Sequence, residues 1–304
     1  MAEPIIECVA NCSEGRNAET IHALAEAIRT VKGASLLDRH VDVDHHRCVF
    51  SFAGSPDAVA LAAYELVKTS TRLIDLNQHS GQHPRIGATD VLPFIPLEGS
   101  TMSQCVDLAK KVGKRVGDEL GIPVFLYEES SDQSHRKRLE DIRRGGLPRL
   151  ASRMESDLSW KPDFGPASPH PTAGVMVIGA RHPLIAYNIL LNTHDLTIAQ
   201  AIAKKIRTSN GGLPAVKALG MELKTKGAVQ VSMNLTNFRQ TPLHVVFETV
   251  KAEAAQRGVS IVNSELVGLI PQEAVNQAAA HDLKWDSLNS WHILETRLRR
   301  CAEG

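Results

Sequence analysis

The chain has 304 residues, 34 Lys+Arg balanced by 34 Asp+Glu, and is 43% hydrophobic and 22% charged, a globular composition that excludes disorder, collagen and coiled coil and, by length, favours two domains of about 150 residues. A formal net charge of zero provides no basic field for a nucleic acid, so none is expected as partner. Five cysteines without a CxxC pair fit a reducing, cytoplasmic setting, and with no signal-like start and no long apolar run neither secretion nor a membrane span is expected.

Alternation over Ile5 to Asn11 predicts a strand, and the spacing of Ile21, Leu24, Ala25 and Ile28 predicts a helix over Asn17 to Thr30. Gly33 precedes a strand over Ala34 to Arg39, then come a charged loop and a strand over Arg47 to Ala53. Ser55 is a cap, and Pro56 a first-turn residue, for a helix through Val67. Val91 to Pro96 is the next strand, which completes the β-α-β-β-α-β order of the split βαβ, ferredoxin-like unit. A helix over Ser103 to Leu120, a strand over Val124 to Tyr127 and a basic helix near His135 to Arg144 follow. Trp160 to Gly174 contains Pro162, Gly165, Pro166, Pro169, Pro171 and Gly174, too many breakers for an element interior, and reads as a loop or linker.

Beyond it the pattern restarts: strands near Val175 to Ile178 and Ile185 to Asn192, a helix over Thr197 to Arg207, a hairpin across Leu219 to Leu235, a helix over Pro242 to Gln256 and a strand over Val259 to Leu269. The two halves repeat an element order without evident residue identity, so the reading is a structural duplication with one subdomain over 1–180 and another over 181–304. The fold class is α+β.

Chemistry concentrates in three segments. Gln78 to Asp90 packs His79, His83, Arg85 and Asp90 together with Gly81 and Gly87 into a loop ahead of a strand. A turn satisfying its own backbone is one reading; the other makes His83 a general base, because imidazole takes and returns protons near neutral pH, with Arg85 holding a carboxylate. Gly81 and Pro84 argue against His79 and His83 as a helical zinc pair. The run His40-Val41-Asp42-Val43-Asp44-His45-His46-Arg47 reads as a polar cap or substrate contacts in preference to a metal site. In Asn11 to Asn17, the helix start offers free N–H groups to an anion, or Ser13 or Asn17 simply caps it, and Cys12 is a candidate thiol without a defined partner. Arg136, Lys137, Arg138, Arg143, Arg144 and Arg149 read as a solvated basic face.

Glu7-Cys8-Val9-Ala10-Asn11-Cys12-Ser13-Glu14-Gly15, His83-Pro84-Arg85-Ile86-Gly87-Ala88-Thr89-Asp90-Val91 and Asp163-Phe164-Gly165-Pro166 together resemble the glutamate formimidoyltransferase family. The resemblance continues through Gly179-Ala180-Arg181, Ile185-Ala186-Tyr187-Asn188 and Leu266-Val267-Gly268-Leu269-Ile270-Pro271, so it covers nearly the whole chain. It implies two ferredoxin-like subdomains enclosing a substrate tunnel, in the stand-alone bacterial form. The implied reaction moves the formimino group of N-formimino-L-glutamate to N5 of tetrahydrofolate, a late step of histidine breakdown. The resemblance then implies tetrahydrofolate as cosubstrate, no metal, and a homodimer as the expected assembly.

By resemblance the general base falls on His83, and the folate-contacting loop on Gly165, Pro166, Ala167, Ser168, Pro169, His170, Pro171, Thr172, Ala173 and Gly174. Asn11, Arg47, Arg85 and Arg181 are the candidate substrate contacts, since both substrates carry carboxylates. The chain departs from the family pattern at Ala10 and Cys12, at Asp44-His45-His46 before Arg47, and within the 167–173 loop. The alternatives are a formyl donor (N-formylglutamate or 5-formyltetrahydrofolate), a metal-dependent hydrolase using the His40 to His46 cluster, and a folate-binding module without turnover.

Overall fold

In a computed structural model, which describes residues 3–80, 85–223, 227–286 and 288–303, the chain separates into two units, Met1–Arg181 and His182–Gly304. The first unit contains β1 (Ile6–Cys12), α1 (Ala18–Arg29), β2 (Ala34–Asp42), β3 (Arg47–Gly54), α2 (Pro56–Leu73), β4 (Thr89–Pro96), α3 (Met102–Leu120), β5 (Val124–Glu128), α4 (Leu139–Arg143), α5 (Gly146–Ser156) and β6 (Met176–Ala180). The second contains β7 (Ile185–Leu191), α6 (Leu196–Ile206), β8 (Val216–Leu223), β9 (Ala228–Leu235), α7 (Leu243–Ala255), β10 (Ile261–Val267), α8 (Gln272–Ala278) and α9 (Leu294–Glu303). Among the described residues no helix is long and apolar enough to cross a membrane.

The first sheet runs β2-β3-β1-β4-β6-β5 and the second β10-β7-β9-β8. In each β-α-β-β-α-β segment the last strand therefore lies beside the first, and the third is inserted between the first and second, the split βαβ arrangement. These four-strand segments are antiparallel, while β4, β6 and β5 are parallel.

Alternation in β1 sends Ile6, Cys8, Ala10 and Cys12 to one face, where they pack with Leu24 and Ile28 of α1, Val59, Ala63 and Leu66 of α2, and Val112 and Val116 of α3. On the other face, α4, α5 and Trp160 cover only the parallel half, with Phe125, Val177 and Val91 packed on Ile142, Leu150 and Met154. The β2-β3-β1 half of that face carries Arg47, Asn11 and His40, aligned through the pairs Val49↔His40 and Asn11↔Val49. The second core joins Tyr187, Ile189, Val231 and Met233 to Ile202 of α6 and Phe247 and Val250 of α7.

Local chemistry sets the element ends. Asn17 caps α1 by accepting the Thr20 N–H at 3.0 Å, and Thr101 with Gln104 forms a capping box on α3. Ser55 stands at the start of α2 without a side-chain cap bond, and Pro56 occupies the first turn. Three expectations are corrected. His40 and Asp42 belong to β2 instead of a loop, because they pair with Val49 and Arg47 across the hairpin. The basic helix is shorter than His135 to Arg144, since Ser134–Arg136 is a separate single turn before α4. The sequence reading also misses α5: its Gly146 and Pro148 look like breakers, yet Pro148 lies in the first turn, where its lacking N–H costs no helical bond.

Candidate active site

Four loops meet at one edge of the first sheet because of strand direction. β1 is antiparallel to β3 and β4, and β4 is parallel to β6, so the end of β1 lies beside the beginnings of β3, β4 and β6. Ser13 donates its N–H to Ala88 O at 2.8 Å and its Oγ–H to Gly87 O at 2.7 Å. Ala88 N–H reaches Ala173 O at 2.9 Å and Val175 N–H reaches Ile86 O at 2.8 Å. Leu76 N–H and Asn77 Nδ2 are held by Thr172 O and Pro171 O, each at 2.9 Å. The first two segments that carry the resemblance are thus hydrogen-bonded to each other, and the second is bonded in turn to Ala173 and Val175.

Two glycines permit this close approach. A Cβ on Gly87 would lie 2.1 Å from Val175 O, and one on Gly15 would lie 2.3 Å from Asp42 O and 2.6 Å from Arg47 N.

Asp90 organises the chain that enters β4. It is buried, and its Oδ1 accepts the N–H groups of Ile86 at 2.7 Å and Gly87 at 3.2 Å, while Oδ2 pairs with the Arg143 guanidinium from α4. A carboxylate accepting two backbone donors and one guanidinium has most of its lone pairs engaged, which suits its burial.

A chain of polar contacts crosses the same edge. Glu14 Oε1 accepts the N–H groups of Arg16 at 2.8 Å and Asn17 at 2.9 Å, filling with the chain's own carboxylate the anion position expected at this helix start. Burial pushes the Glu14 carboxyl up, but these two N–H groups and His46 outweigh it and hold it below the usual range. His46 turns Nε2 to Glu14 at 3.1 Å and Nδ1 to Ser80 O at 2.8 Å. Its ring stacks on His79 with centroids 3.8 Å apart. His79 directs Nε2 to His46 O at 2.9 Å and Nδ1 to the Arg85 guanidinium. Burial, with Arg85 and His46 as cations, brings the His79 imidazole down to about 4.

Next to this chain lies Arg47, half-buried, whose Nε is buried without a hydrogen-bond partner among the described residues. Burial pushes its guanidinium down from the ordinary arginine value, Asp42 and Asp90 pull it up, and Arg143 opposes them. His45 donates its backbone N–H to Asp42 at 2.8 Å and its ring pairs with the same carboxylate. Burial pushes the Asp42 carboxyl up, yet these bonds overcome it and hold it at about 2. Arg85 is half-buried and likewise shifted down by burial. Two partly desolvated guanidinium groups at one sheet edge suit an anionic ligand.

The structure assembles some expected residues and leaves others apart. Asn11, Arg47 and Arg85 share this edge. Of the loop expected to contact folate, His170 to Gly174 forms a tight turn, closed by reciprocal backbone bonds of 2.9 and 3.0 Å, and is seated against Leu76 and Ala88, while Gly165 to Ser168 are exposed. Arg181 follows the far end of β6, where its N–H donates to Phe94 O at 3.1 Å and its side chain bonds Tyr127. At about 3.3 Å per residue, β6 carries it away from the loops. His83 lies outside the described residues. Cys12 is fully buried with Sγ 3.8 Å from Thr89 Oγ1, so its thiol has no access to a ligand. Among the described residues, no group of three or more His, Cys, Asp or Glu side chains is gathered to hold a metal ion. The basic run is partly structural: Arg136 is buried and grips Asp163 at 2.7 and 3.2 Å, and Asp163 also accepts Leu126 N–H at 2.8 Å.

Sequence reasoning missed Glu14, Asp90 and Arg143 as organisers. Glu14 and Asp90 lie inside quoted motifs, whereas the partner of Asp90 comes from α4, far along the chain.

The fold is a split-βαβ α+β architecture, and Arg47 and Arg85 at one edge of its first sheet have the chemistry to meet a small anionic molecule. Residues 5–181 match the formiminotransferase domain, N-terminal subdomain, and residues 186–298 match the formiminotransferase domain. A glutamate formimidoyltransferase of Streptococcus pyogenes serotype M1 is 41% identical over 296 residues, covering 97% of this chain and 98% of that protein. One from Thermoplasma acidophilum is 43% identical over 300 residues, covering 98% of each. The formimidoyltransferase-cyclodeaminase of Mus musculus is 42% identical over 283 residues, covering 91% of this chain and 52% of that protein. The chain belongs to the formiminotransferase family.

Proposed function

We propose that this chain is a glutamate formimidoyltransferase, moving the formimino group of N-formimino-L-glutamate to N5 of tetrahydrofolate and releasing L-glutamate. The observation that supports it is 41 and 43% identity, over nearly their whole lengths, to two relatives of that name. Tetrahydrofolate is the cosubstrate and the reactants are small molecules.

In this reading N5 attacks the formimino carbon while His83 takes the N5 proton. The tetrahedral intermediate collapses by breaking the bond from that carbon to the glutamate nitrogen, and His83 returns a proton to the departing nitrogen. Arg47 and Arg85 receive carboxylates; the buried Nε of Arg47, which meets no acceptor among the described residues, supports that part. The turn ending at Gly174 would hold one end of the loop assigned to folate, and Asn11 lies on the same sheet face as Arg47, on β1 and β3. Placing both reactants against fixed groups supplies acceleration by proximity.

The test is transfer from N-formimino-L-glutamate to tetrahydrofolate, read after acidification as methenyltetrahydrofolate absorbance, for wild type and His83→Ala. Wild-type turnover that falls by about 10²-fold or more in the variant supports both reaction and base. Consumption of N-formylglutamate or 5-formyltetrahydrofolate in place of the formimino donor would change the donor, and no turnover with any of the three would overturn the transferase reading.

A further inference from the structure

Hydrogen-bond bookkeeping fixes the protonation of one histidine at the sheet edge. His46 Nδ1 faces Ser80 O at 2.8 Å, a carbonyl that only accepts. Its Nε2 faces Glu14 Oε1 at 3.1 Å, and that oxygen already accepts backbone N–H groups at 2.8 and 2.9 Å, as an ionised carboxylate does. Neutral imidazole has one N–H, so only imidazolium satisfies both acceptors. The stacked ring is the reverse case: His79 donates Nε2–H to His46 O, and its Nδ1 faces the Arg85 guanidinium, which can only donate. His79 is therefore neutral, so the stacked pair carries a single positive charge, compensated by Glu14.

From this arrangement we propose that His46, as an imidazolium, is a positioning residue that fastens Ser80 and His79 to Glu14 and so fixes the chain entering the His83 segment. The inference rests on the reading of His83 as the base. His46 is assigned no contact with substrate; it joins the β2–β3 turn to the β1–α1 loop and to the residues just before His83. Among the described residues, the charged and titratable groups around it are Glu14 and Arg16 from the β1–α1 loop, His79 and Arg85 from the segment before β4, and Asp42, Asp44, His45 and Arg47 of its own hairpin.

The residue also suits a conservative test. His46 has φ 50°, in the left-handed region that Asn tolerates well, so His46→Asn keeps the turn and removes the cation. With His46→Asn and Glu14→Gln, kcat is expected to fall about tenfold with KM within about threefold, the scale of one charge-assisted contact. Independently of turnover, amide hydrogen exchange in the peptide spanning 76–88 should quicken about tenfold in His46→Asn and stay unchanged elsewhere. In the nitrogen-15 spectrum of histidine-labelled wild type, the His46 ring should carry protons on both nitrogens at neutral pH, and the His79 ring on one.

A single proton on His46, unchanged exchange over 76–88, or an unchanged kcat in a variant with quickened exchange would each overturn the proposal. If the wild type fails to transfer the formimino group, the functional reading falls on that result, while the spectrum and exchange still decide whether the anchor exists.

Discussion

Replacing Asp90 by Asn removes one charge from a buried network while keeping nearly the same shape. The carboxylate accepts Ile86 N–H at 2.7 Å and Gly87 N–H at 3.2 Å and pairs with Arg143, whose side chain is itself 14% exposed. Asn retains an oxygen for the two N–H groups but leaves the Arg143 guanidinium uncompensated, with Arg47 close enough for the two cations to oppose each other. Breaking a buried pair from one side costs about 3–5 kcal/mol, and the conserved oxygen places this variant near 3 kcal/mol, or roughly 6–12 °C in Tm for a unit of this size. Urea unfolding followed by tryptophan fluorescence measures it, since Trp160 packs against Phe125 and Arg153 in the same unit. Arg143→Met and the double variant complete a cycle. The double variant should be less destabilised than the sum of the singles by about 1–3 kcal/mol. An Asp90→Asn loss below about 0.5 kcal/mol, or strict additivity, would refute the reasoning that this pair holds the 86–87 turn.

Three further outcomes are expected. Gly87→Ala puts a methyl group where Val175 O stands, 2.1 Å away; thermal unfolding should show a loss of about 2–4 kcal/mol, and an unchanged Tm would show that the two loops separate at no cost. Arg47→Met should raise KM for the carboxylate-bearing substrates by about tenfold or more with Tm little changed, and steady-state kinetics with an unaltered KM would remove Arg47 from the binding role. Acidification should destabilise the fold in two windows. A histidine depressed from 6.5 to about 4, as His79 is, contributes stability that is present above pH 6.5 and lost as pH falls toward 4, whereas Asp42 at about 2 contributes above its ordinary value of 3.8 and is lost below it. Urea midpoints of His79→Gln should therefore decline less than wild type between pH 6.5 and 4, and parallel curves would contradict the assignment.

The βαββαβ order was legible in each half because those strands and helices bury one face and their periodicities show it, as in Ile6, Cys8, Ala10 and Cys12 of β1 or Ile21, Leu24 and Ile28 of α1. Less legible were α5, whose Gly146 and Pro148 resemble a break, and α8 and α9, which are short and carry few buried side chains. At the site, motif residues identified which loops matter. They did not reveal that Glu14 would accept its own helix's N–H groups, or that Arg136 would leave solvent to hold Asp163.

Residue order determined the period of each element, the positions where only glycine or proline fits, and which short segments concentrate imidazole, guanidinium and carboxylate groups. Those properties depend on neighbours in the chain, so they can be read along it. Tertiary structure alone decided that the residues near Ser13, His46, His79, Gly87 and Ala173 share one sheet edge, because strand direction and order bring together segments up to 160 positions apart, such as Ser13 and Ala173. It also decided protonation: His46 and His79 are the same side chain, and only the acceptors and donors that the fold sets around each ring make one a cation and the other neutral.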